Sequence, residues 1–247
     1  MKTIYILWLR QLKRYSRSKA RIVGSIGQPL LFLIALGFGL GPVFKSAGEG
    51  NYLQFLSPGI IAMSVLFTAM FSGIEIIWDR QVGFLKETLV APVSRIEIMA
   101  GRTLGGATVA FFQGAVVFLI TMPLGFNPDF LTLPLGMLFM LLIALFFTGL
   151  GTAIASLLKD MQGFQLIMNF IVMPTFFLSG ALFPIENLPP VFKAVLVLNP
   201  LAYGVDGLRG SLTGLSYYGL GNDFFILGLA TALILAIGSF LFSKIQI

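Results

Sequence analysis

The residue types on which most enzymes depend are missing from this sequence or misplaced in it. None of the 247 residues is Cys or His, which excludes thiol chemistry, disulfide bonds, imidazole general bases and the commonest zinc sites. Residues 39–46 come nearest to a Gly-x-x-x-x-Gly-Lys-Ser/Thr phosphate-binding loop, but Phe44 stands where the second glycine is required. We therefore predict that this chain has no catalytic residues and no metal site, and that it binds no cofactor itself.

The apolar stretches of the sequence contain few groups that could change charge. Glu75, at the inner end of one stretch, is the only ionisable side chain close to their interior. Ion-coupled transporters need such groups near the bilayer centre, so the pattern argues against a secondary pump. Phenylalanines and isolated amides suit an amphipathic or lipid-like cargo better than an ion, although the same side chains also serve as lipid contacts or core packing. The candidate pathway residues are Phe67, Phe71, Gln165, Asn169, Phe176 and Phe177.

The composition requires these residues to lie in a membrane. Hydrophobic residues make up 57% of the chain and charged residues 11%, whereas about a quarter of a soluble domain is charged. An α-helix needs about 20 apolar residues to cross the hydrocarbon core, and the alternation typical of a barrel strand is not seen. Long uncharged windows cover residues 22–44, 50–74, 103–128, 130–158, 161–185 and 224–243. We predict one all-α membrane domain over residues 1–247 with six transmembrane helices.

Basic residues set the orientation of this bundle. The chain has 16 Lys and Arg residues and a net charge of +6. With six spans, all of these basic residues except Lys45, Lys193 and Arg209 fall on one side. The positive-inside rule therefore predicts that both termini are cytoplasmic. Topology and attraction to anionic lipid explain the excess charge, so no nucleic-acid partner is expected.

The N-terminal segment, residues 1–21, predicts an amphipathic helix at the cytoplasmic interface. Tyr5, Trp8, Leu12 and Tyr15 share one side of a helical wheel, and the opposite side carries Arg10, Lys13, Arg14, Arg17 and Arg21. The aromatic side would enter the acyl boundary. The basic side would bind lipid phosphates or a protein partner, and the sequence leaves both open.

The inner segment between the second and third windows predicts a second short helix. Val82, Leu85 and Leu89 are spaced as one helical face, and Pro92 ends the pattern. Ser94 and Glu97 then form a capping box that begins the next helix. A two-turn helix is marginal alone and needs something to pack on; the alternative is a solvated loop with incidental periodicity.

The outer segment, residues 184–210, is too apolar for a plain loop, and its uncharged run is too short to span. We predict two short re-entrant helices, which would close a pathway or fill the end of the bundle. Asp206 and Arg209, three residues apart, are expected to pair. The prolines that would break these helices are Pro184, Pro189, Pro190 and Pro200.

Two motifs resemble a known family. The inner segment reads DRQVGFLKETLVAPVSR, and the outer segment reads FLSGALFPIENLPP followed by LNPLAYGVDGLR. With the basic N-terminal helix and six spans, these motifs resemble the type-2 ABC exporter permease family. That family provides the membrane subunits of bacterial and archaeal drug, polysaccharide, lipid and nodulation-factor exporters. The resemblance covers essentially the whole chain, although Asp79 and Gln81 stand where glutamates are common.

The resemblance implies a permease that exports an amphipathic or lipid-like cargo, such as a drug, a lipid or a lipid-linked glycan, across the cytoplasmic (inner) membrane. Its partners would be a second permease copy or close relative, membrane lipid, and two copies of a separate nucleotide-binding ATPase subunit that binds ATP and Mg²⁺. Residues 1–21 would be the connecting helix and residues 79–89 the coupling helix. Contacts with the ATPase subunit would come from Arg14, Arg17, Arg80, Gly83, Leu85, Lys86, Glu87 and Leu89.

The same pattern of apolar windows is also compatible with a protein of another class. A six-helix channel or membrane assembly factor would use no ATPase and would be regulated through its cytoplasmic segment. Co-purification of an ATPase subunit distinguishes this alternative from an exporter. A membrane enzyme would require catalytic residues that the sequence does not provide.

Overall fold

The computed structural model describes residues 2–46, 51–186 and 188–244, and every regular element in these ranges is helical. Gly50, the predicted start of the second window, lies outside the described residues. A 3-10 turn at Met122–Leu124 follows α6. The α-helices are α1 (Lys2–Arg17), α2 (Lys19–Ser46), α3 (Tyr52–Ser72), α4 (Ile74–Gln81), α5 (Phe84–Val90), α6 (Arg95–Thr121), α7 (Leu133–Leu157), α8 (Met161–Phe177), α9 (Pro190–Val197), α10 (Pro200–Thr213) and α11 (Leu220–Ser243).

Five helical stretches are long and apolar enough to cross a membrane. They are α2, α3 with α4, α6 with its 3-10 turn, α7 and α11, and each has 24 to 30 residues. The predicted window 161–185 yields only the 17 residues of α8, about 26 Å of helix, before the chain turns at Gly180 with φ +71°. The described residues therefore contain five helical stretches of span length and a shorter apolar helix where the sixth was expected.

The outer segment forms two short helices, as its prolines predict. Pro189 and Pro190 begin α9, and Pro200 follows the Asn199 cap of α10, whose side chain accepts a hydrogen bond from the Leu201 amide. Pro184 lies in the loop before α9. The axes of α9 and α10 differ by 92°, so together they form either a broken span or a re-entrant loop. Re-entry therefore stays a prediction.

The helix α3 runs through the middle of the bundle and contacts α2, α6, α7, α8 and α10. In its most apolar window 83% of residues are buried, against 17% in α2 and in α11. Small residues permit close packing: a Cβ added to Gly73 would lie 2.4 Å from the carbonyl oxygen of Gly151 on α7. Because α3 is enclosed, movement at its inner end cannot occur without moving its neighbours.

The structure divides the predicted coupling helix, residues 79–89, into two parts. Asp79 lies in α4, which continues the line of α3, and the helix breaks at Gly83, whose φ of +83° favours glycine. The second part, α5, ends at Val90 before the extended residue Ala91, as Pro92 predicts. The Ser94 cap of α6 is also present, since Ser94 Oγ accepts a hydrogen bond from the Glu97 amide at 3.1 Å.

Candidate functional site

The end of the bundle that carries the N-terminal helix, which the basic residues predict to be the inner end, is organised around Asp79, which is 1% exposed. Arg10 of α1 binds its carboxylate with two hydrogen bonds of 2.9 and 2.8 Å, Arg14 donates at 3.2 Å, and Arg102 of α6 donates at 2.7 Å. Charge-assisted, bidentate contacts of this kind are the strongest hydrogen bonds that side chains form. Asp79 therefore ties the N-terminal helix to α4 and α6.

A second carboxylate extends this group. Glu75, one helical turn before Asp79, is 5% exposed; Arg21 lies 2.7 Å and Arg14 3.9 Å from its oxygens. We call these two acids and their four arginines the Asp79 cluster; its members are Arg10, Arg14, Arg21, Glu75, Asp79 and Arg102. The hydrogen bond with Asp79 raises the pKa of Arg10 above its usual value, so this guanidinium stays charged in any cell. The Asp79 cluster therefore joins α1, α2, α4 and α6 through ion pairs.

The helix α1 fits against α6 as well as against the cluster. A Cβ on Gly101 would lie 2.9 Å from the Ile4 carbonyl oxygen, and Trp8 Nε1 donates to Thr108 Oγ1 at 3.0 Å. The tyrosine Tyr15, on the same side, donates to Gln113. Trp8 and Tyr15 thus contact protein, whereas Tyr5 is 59% exposed, so only part of the predicted aromatic side is free to meet lipid.

The predicted basic side of α1 is split between the interior and the surface. The predicted helix over residues 1–21 ends at Arg17, and Arg21 belongs to α2. Arg10, Arg14 and Arg21 turn towards the buried carboxylates, whereas Lys13 and Arg17 remain exposed. A groove of about 510 Å³ along this side is lined by Ile6, Leu9, Arg10, Lys13, Arg14 and Arg17. Of the two arginines expected to contact an ATPase subunit, Arg17 is therefore accessible and Arg14 belongs to the cluster.

The residues expected to dock from the inner segment are also split. Leu85 is 2% exposed and packs with the core of its own chain, with Leu89 half-buried against it. Arg80 donates to the carbonyl oxygens of Leu158 and Ser156, at the inner end of α7. Gly83 has no neighbour within 4 Å of an added Cβ, so its role within this chain is its backbone conformation. These residues therefore fix the inner segment within its own chain and do not offer side chains to a partner.

The solvent-exposed side of the inner segment carries Lys86 and Glu87. Two valines flank them in sequence, Val82, which is 64% exposed, and Val90, which is 78% exposed. The apolar spacing did not single out Val90, because Val90 lies beside the predicted apolar face of α5. The Arg10 guanidinium lies 3.9 Å from the Phe84 ring centroid and so joins α5 to α1. We call the exposed part of this region the inner docking surface, which consists of Lys13, Arg17, Val82, Lys86, Glu87 and Val90.

The predicted pathway residues do not form one surface. Phe176 is fully buried, and Phe67 and Phe71 are half-buried on α3 with their rings 6.4 Å apart. Gln165, Asn169 and Phe177 lie on the exposed side of α8, together with Phe170, which is 84% exposed. Two amides on an apolar helix therefore face away from this chain.

The predicted pair between Asp206 and Arg209 is wrong, since the described residues include no ion pair between them. Asp206 caps the loop after α10, where it accepts hydrogen bonds from Ser216 Oγ and from the amides of Tyr217 and Tyr218. Arg209 instead donates to backbone carbonyl oxygens, at 3.2 Å to Phe55 and 3.0 Å to Gly180. Backbone groups therefore bind both charges, and Ser216 Oγ also binds that of Asp206.

Comparison with known proteins identifies the family to which this architecture belongs. The sequence profile described as ABC-2 type transporter matches residues 2–213. The chain belongs to the ABC-2 type transporter family. This match covers the N-terminal helix, the inner segment and the outer segment, so the resemblance drawn from the two motifs is confirmed.

Relatives of this ABC-2 type transporter chain include nodulation protein J of Rhizobium leguminosarum bv. trifolii, 29% identical over 85% of this chain and 78% of the relative. The putative transport permease ycf38 of Cyanophora paradoxa is 30% identical over 83% of this chain and 72% of its own length. The same permease of Pyropia yezoensis is 33% identical over 78% and 68%, respectively. Family membership and the apolar helices together identify the chain as a multi-pass membrane protein and a transport permease.

Proposed function

We propose that this chain is the membrane subunit of an ATP-driven exporter whose ATP-binding subunit docks on the inner docking surface. The observation that carries the proposal is the fixed connection between that surface and the spans. Its two halves, α1 and α5, meet at Arg10, which also holds Asp79 at the end of α4. A partner that moves this surface therefore moves α4 and α6 with it.

The chemistry of the surface suits a protein partner more than lipid. Val82 and Val90 supply apolar area, and Lys86 and Glu87 supply charges of both signs. Anionic lipid would select lysines and arginines alone, whereas protein interfaces combine an apolar centre with a charged rim. A binding partner that prefers one arrangement of α1 and α5 shifts the bundle by the difference in its affinity for the two arrangements.

The energy source would be ATP and Mg²⁺ held by two copies of the separate ATPase subunit. Closure of these subunits around nucleotide would pull the inner docking surface, and the Asp79 cluster would transmit the displacement to α3 and α6. The inner docking surface would face the cytoplasm, with both termini on that side of the inner membrane, in agreement with the distribution of basic residues.

A second copy of the permease, or a close relative, would complete the pathway. The exposed amides Gln165 and Asn169 on α8 are unsuited to lipid tails and would be covered by the second copy or by polar parts of the cargo. An amphipathic or lipid-like cargo fits the aromatic and amide side chains on this side. The relatives named as putative transport permeases are in keeping with a transport role.

Affinity purification of the chain from its native membranes tests the proposal. We expect an ATP-binding subunit to co-purify with the wild-type chain and to be reduced several-fold by Val90→Asp, because a charge there opposes apolar docking. Leu215→Asp, at an exposed position on the outer side, is the matched control. If no ATP-binding protein co-purifies, the channel or assembly-factor alternative replaces the exporter.

A further inference from the structure

A small cavity lies between the N-terminal helix and the spans, beside the Asp79 cluster. It is bordered by α1, α2, α3, α4 and α6, and its polar walls are Gln11, Tyr15, Arg21, Ser72 and Glu75. The volume of the cavity is about 10 Å³. A water molecule inside a protein needs a polar space of about 10–15 Å³. The cavity therefore has room for one molecule of that size and for nothing larger.

Two buried oxygen atoms in these walls, Gln11 Oε1 and Glu75 Oε2, have no hydrogen-bond partner among the described residues. Gln11 is 6% exposed and Glu75 is 5% exposed. Arg14 lies 3.9 Å from Glu75 Oε2, which makes an ion pair but is too long for a hydrogen bond. A buried acceptor without a donor is destabilising. Both atoms therefore favour a ligand that brings N–H or O–H groups into the cavity.

The hydroxyl groups of the walls are already used elsewhere. Tyr15 donates its proton to an amide oxygen of α6, and Ser72 donates to a carbonyl oxygen of its own helix, α3, at 2.6 Å. Arg21 Nη1 donates to the other oxygen of Glu75, Oε1, at 2.7 Å. These bonds leave the two unpartnered acceptors to a donor from outside the chain.

The charges of the walls favour a neutral ligand. Arg21 and Glu75 are the charged side chains that line the cavity, and they pair with each other. A cation would be repelled by Arg14 and Arg21, and an anion would be repelled by Glu75. The ligand must therefore be neutral, carry two donor groups and be no larger than one heavy atom with its hydrogens. Water meets these requirements and makes about three hydrogen bonds in protein interiors.

Close packing holds Gln11 at this position. A Cβ on Gly105 of α6 would lie 2.6 Å from the Gln11 Cβ, so α1 approaches α6 as closely as a glycine permits. The Gln11 side chain therefore has little freedom to turn its oxygen towards another donor. A water between Gln11 and Glu75 would satisfy both acceptors and join α1 to α4.

We propose that this cavity binds one ordered water molecule, which donates to Gln11 Oε1 and to Glu75 Oε2. The water helps to hold α1 against α4, as the arginines of the Asp79 cluster do. Its binding depends on this chain alone and not on the proposed ATP-binding partner, so loss of the export role would leave the water site intact.

A crystal structure of the full-length chain in lipid, at a resolution that shows ordered water, tests this proposal. We expect one peak of density within hydrogen-bond distance of both Gln11 Oε1 and Glu75 Oε2. Gln11→Met keeps the length of the side chain but removes the acceptor, so its structure should lack the peak. Amide hydrogen exchange in α1 should be roughly tenfold faster in Gln11→Met, since one bridge to α4 is lost. Gln162→Met, at an exposed position of α8, is the control and should exchange as the wild type does.

The wild-type structure decides the outcome even if Gln11→Met does not fold. Well-ordered side chains with no peak between them would overturn the proposal, and so would a peak that Gln11→Met retains. Contacts of about 2.4 Å to the two oxygens would identify a bound cation in place of water and would also overturn it. Loss of the peak with wild-type exchange in α1 would show that the water does not hold this helix.

Discussion

The Asp79 carboxylate and the Arg102 guanidinium lie 2.7 Å apart, and each side chain is at most 2% exposed. Arg102 also has Nε and Nη1 atoms without hydrogen-bond partners in the described part of the chain. Two charges taken out of water depend on each other, because neither can be solvated if the other is removed. This pair therefore fixes α4 against α6, and Arg10 extends the same link to α1.

Replacement of Asp79 by Asn should destabilise the inner end of the bundle. Breaking a buried ion pair costs about 3–5 kcal/mol because the partner charge is left unpaired. We expect a lower unfolding temperature and faster amide hydrogen exchange in α1, measured by mass spectrometry. Glu87→Gln removes one exposed negative charge and serves as the control. Wild-type exchange rates in α1 of Asp79→Asn would show that the cluster does not hold this helix.

Replacement of Gly83 by Ala should disturb α5 through the backbone alone. A left-handed conformation costs a residue with a Cβ about 1–2 kcal/mol, and no atom lies within 4 Å to add a steric effect. We expect faster hydrogen exchange in α5 and reduced recovery of the ATP-binding subunit. Asn tolerates this conformation better, so Gly83→Asn should have a smaller effect. Gly24→Ala, inside α2 and equally free of contacts, should change neither quantity.

Arg80 and the neighbouring pair Lys86 and Glu87 should respond differently to mutation. Arg80 holds the inner end of α7, so Arg80→Ala should lower the unfolding temperature. The double variant Lys86→Glu with Glu87→Lys should unfold as the wild type does but recover several-fold less ATP-binding subunit. Thermal unfolding and quantitative co-purification measure the two effects. A stable Arg80→Ala variant, or full recovery in the double variant, would contradict the division of roles.

Cysteine accessibility should establish the orientation, since the chain has no native cysteine. A membrane-impermeant maleimide added to intact cells should label Ser46→Cys and Leu215→Cys, both at exposed outer positions. Lys86→Cys should react only after the membrane is opened, because α5 is expected in the cytoplasm. Labelling of Lys86→Cys in intact cells would reverse the proposed topology.

Local signals in the sequence predicted much of the fold. Charge-free windows located five spans, because burial in lipid excludes charge along a whole helix. The window 161–185 instead yielded only the 17 residues of α8. Ser94 and Pro92 marked the ends of two helices through contacts with their own neighbours in sequence. The break at Gly83 was not predicted, since glycine permits a left-handed backbone without requiring it.

Distant partners could not be predicted in the same way. Asp79 binds Arg10, 69 residues earlier, and no periodicity relates the two positions. The spacing of Asp206 and Arg209 suggested an ion pair on one helical face, but each side chain forms hydrogen bonds with backbone groups instead. Of the predicted apolar face, Leu85 is buried and Leu89 half-buried against their own chain, whereas Val82 is exposed. Apolar spacing shows that a face is buried and does not show what covers it.

Photo-crosslinking from position 90 shows whether an ATP-binding subunit lies on the inner docking surface. A photoreactive amino acid in place of Val90, activated in native membranes, should capture one ATP-binding subunit, and the same subunit should be captured from position 13 on α1. The same amino acid at Leu215, on the outer side, should not capture it. Capture of this subunit from both inner positions is the predicted result. If no ATP-binding protein is captured from either position, the inner docking surface does not bind an ATP-binding subunit.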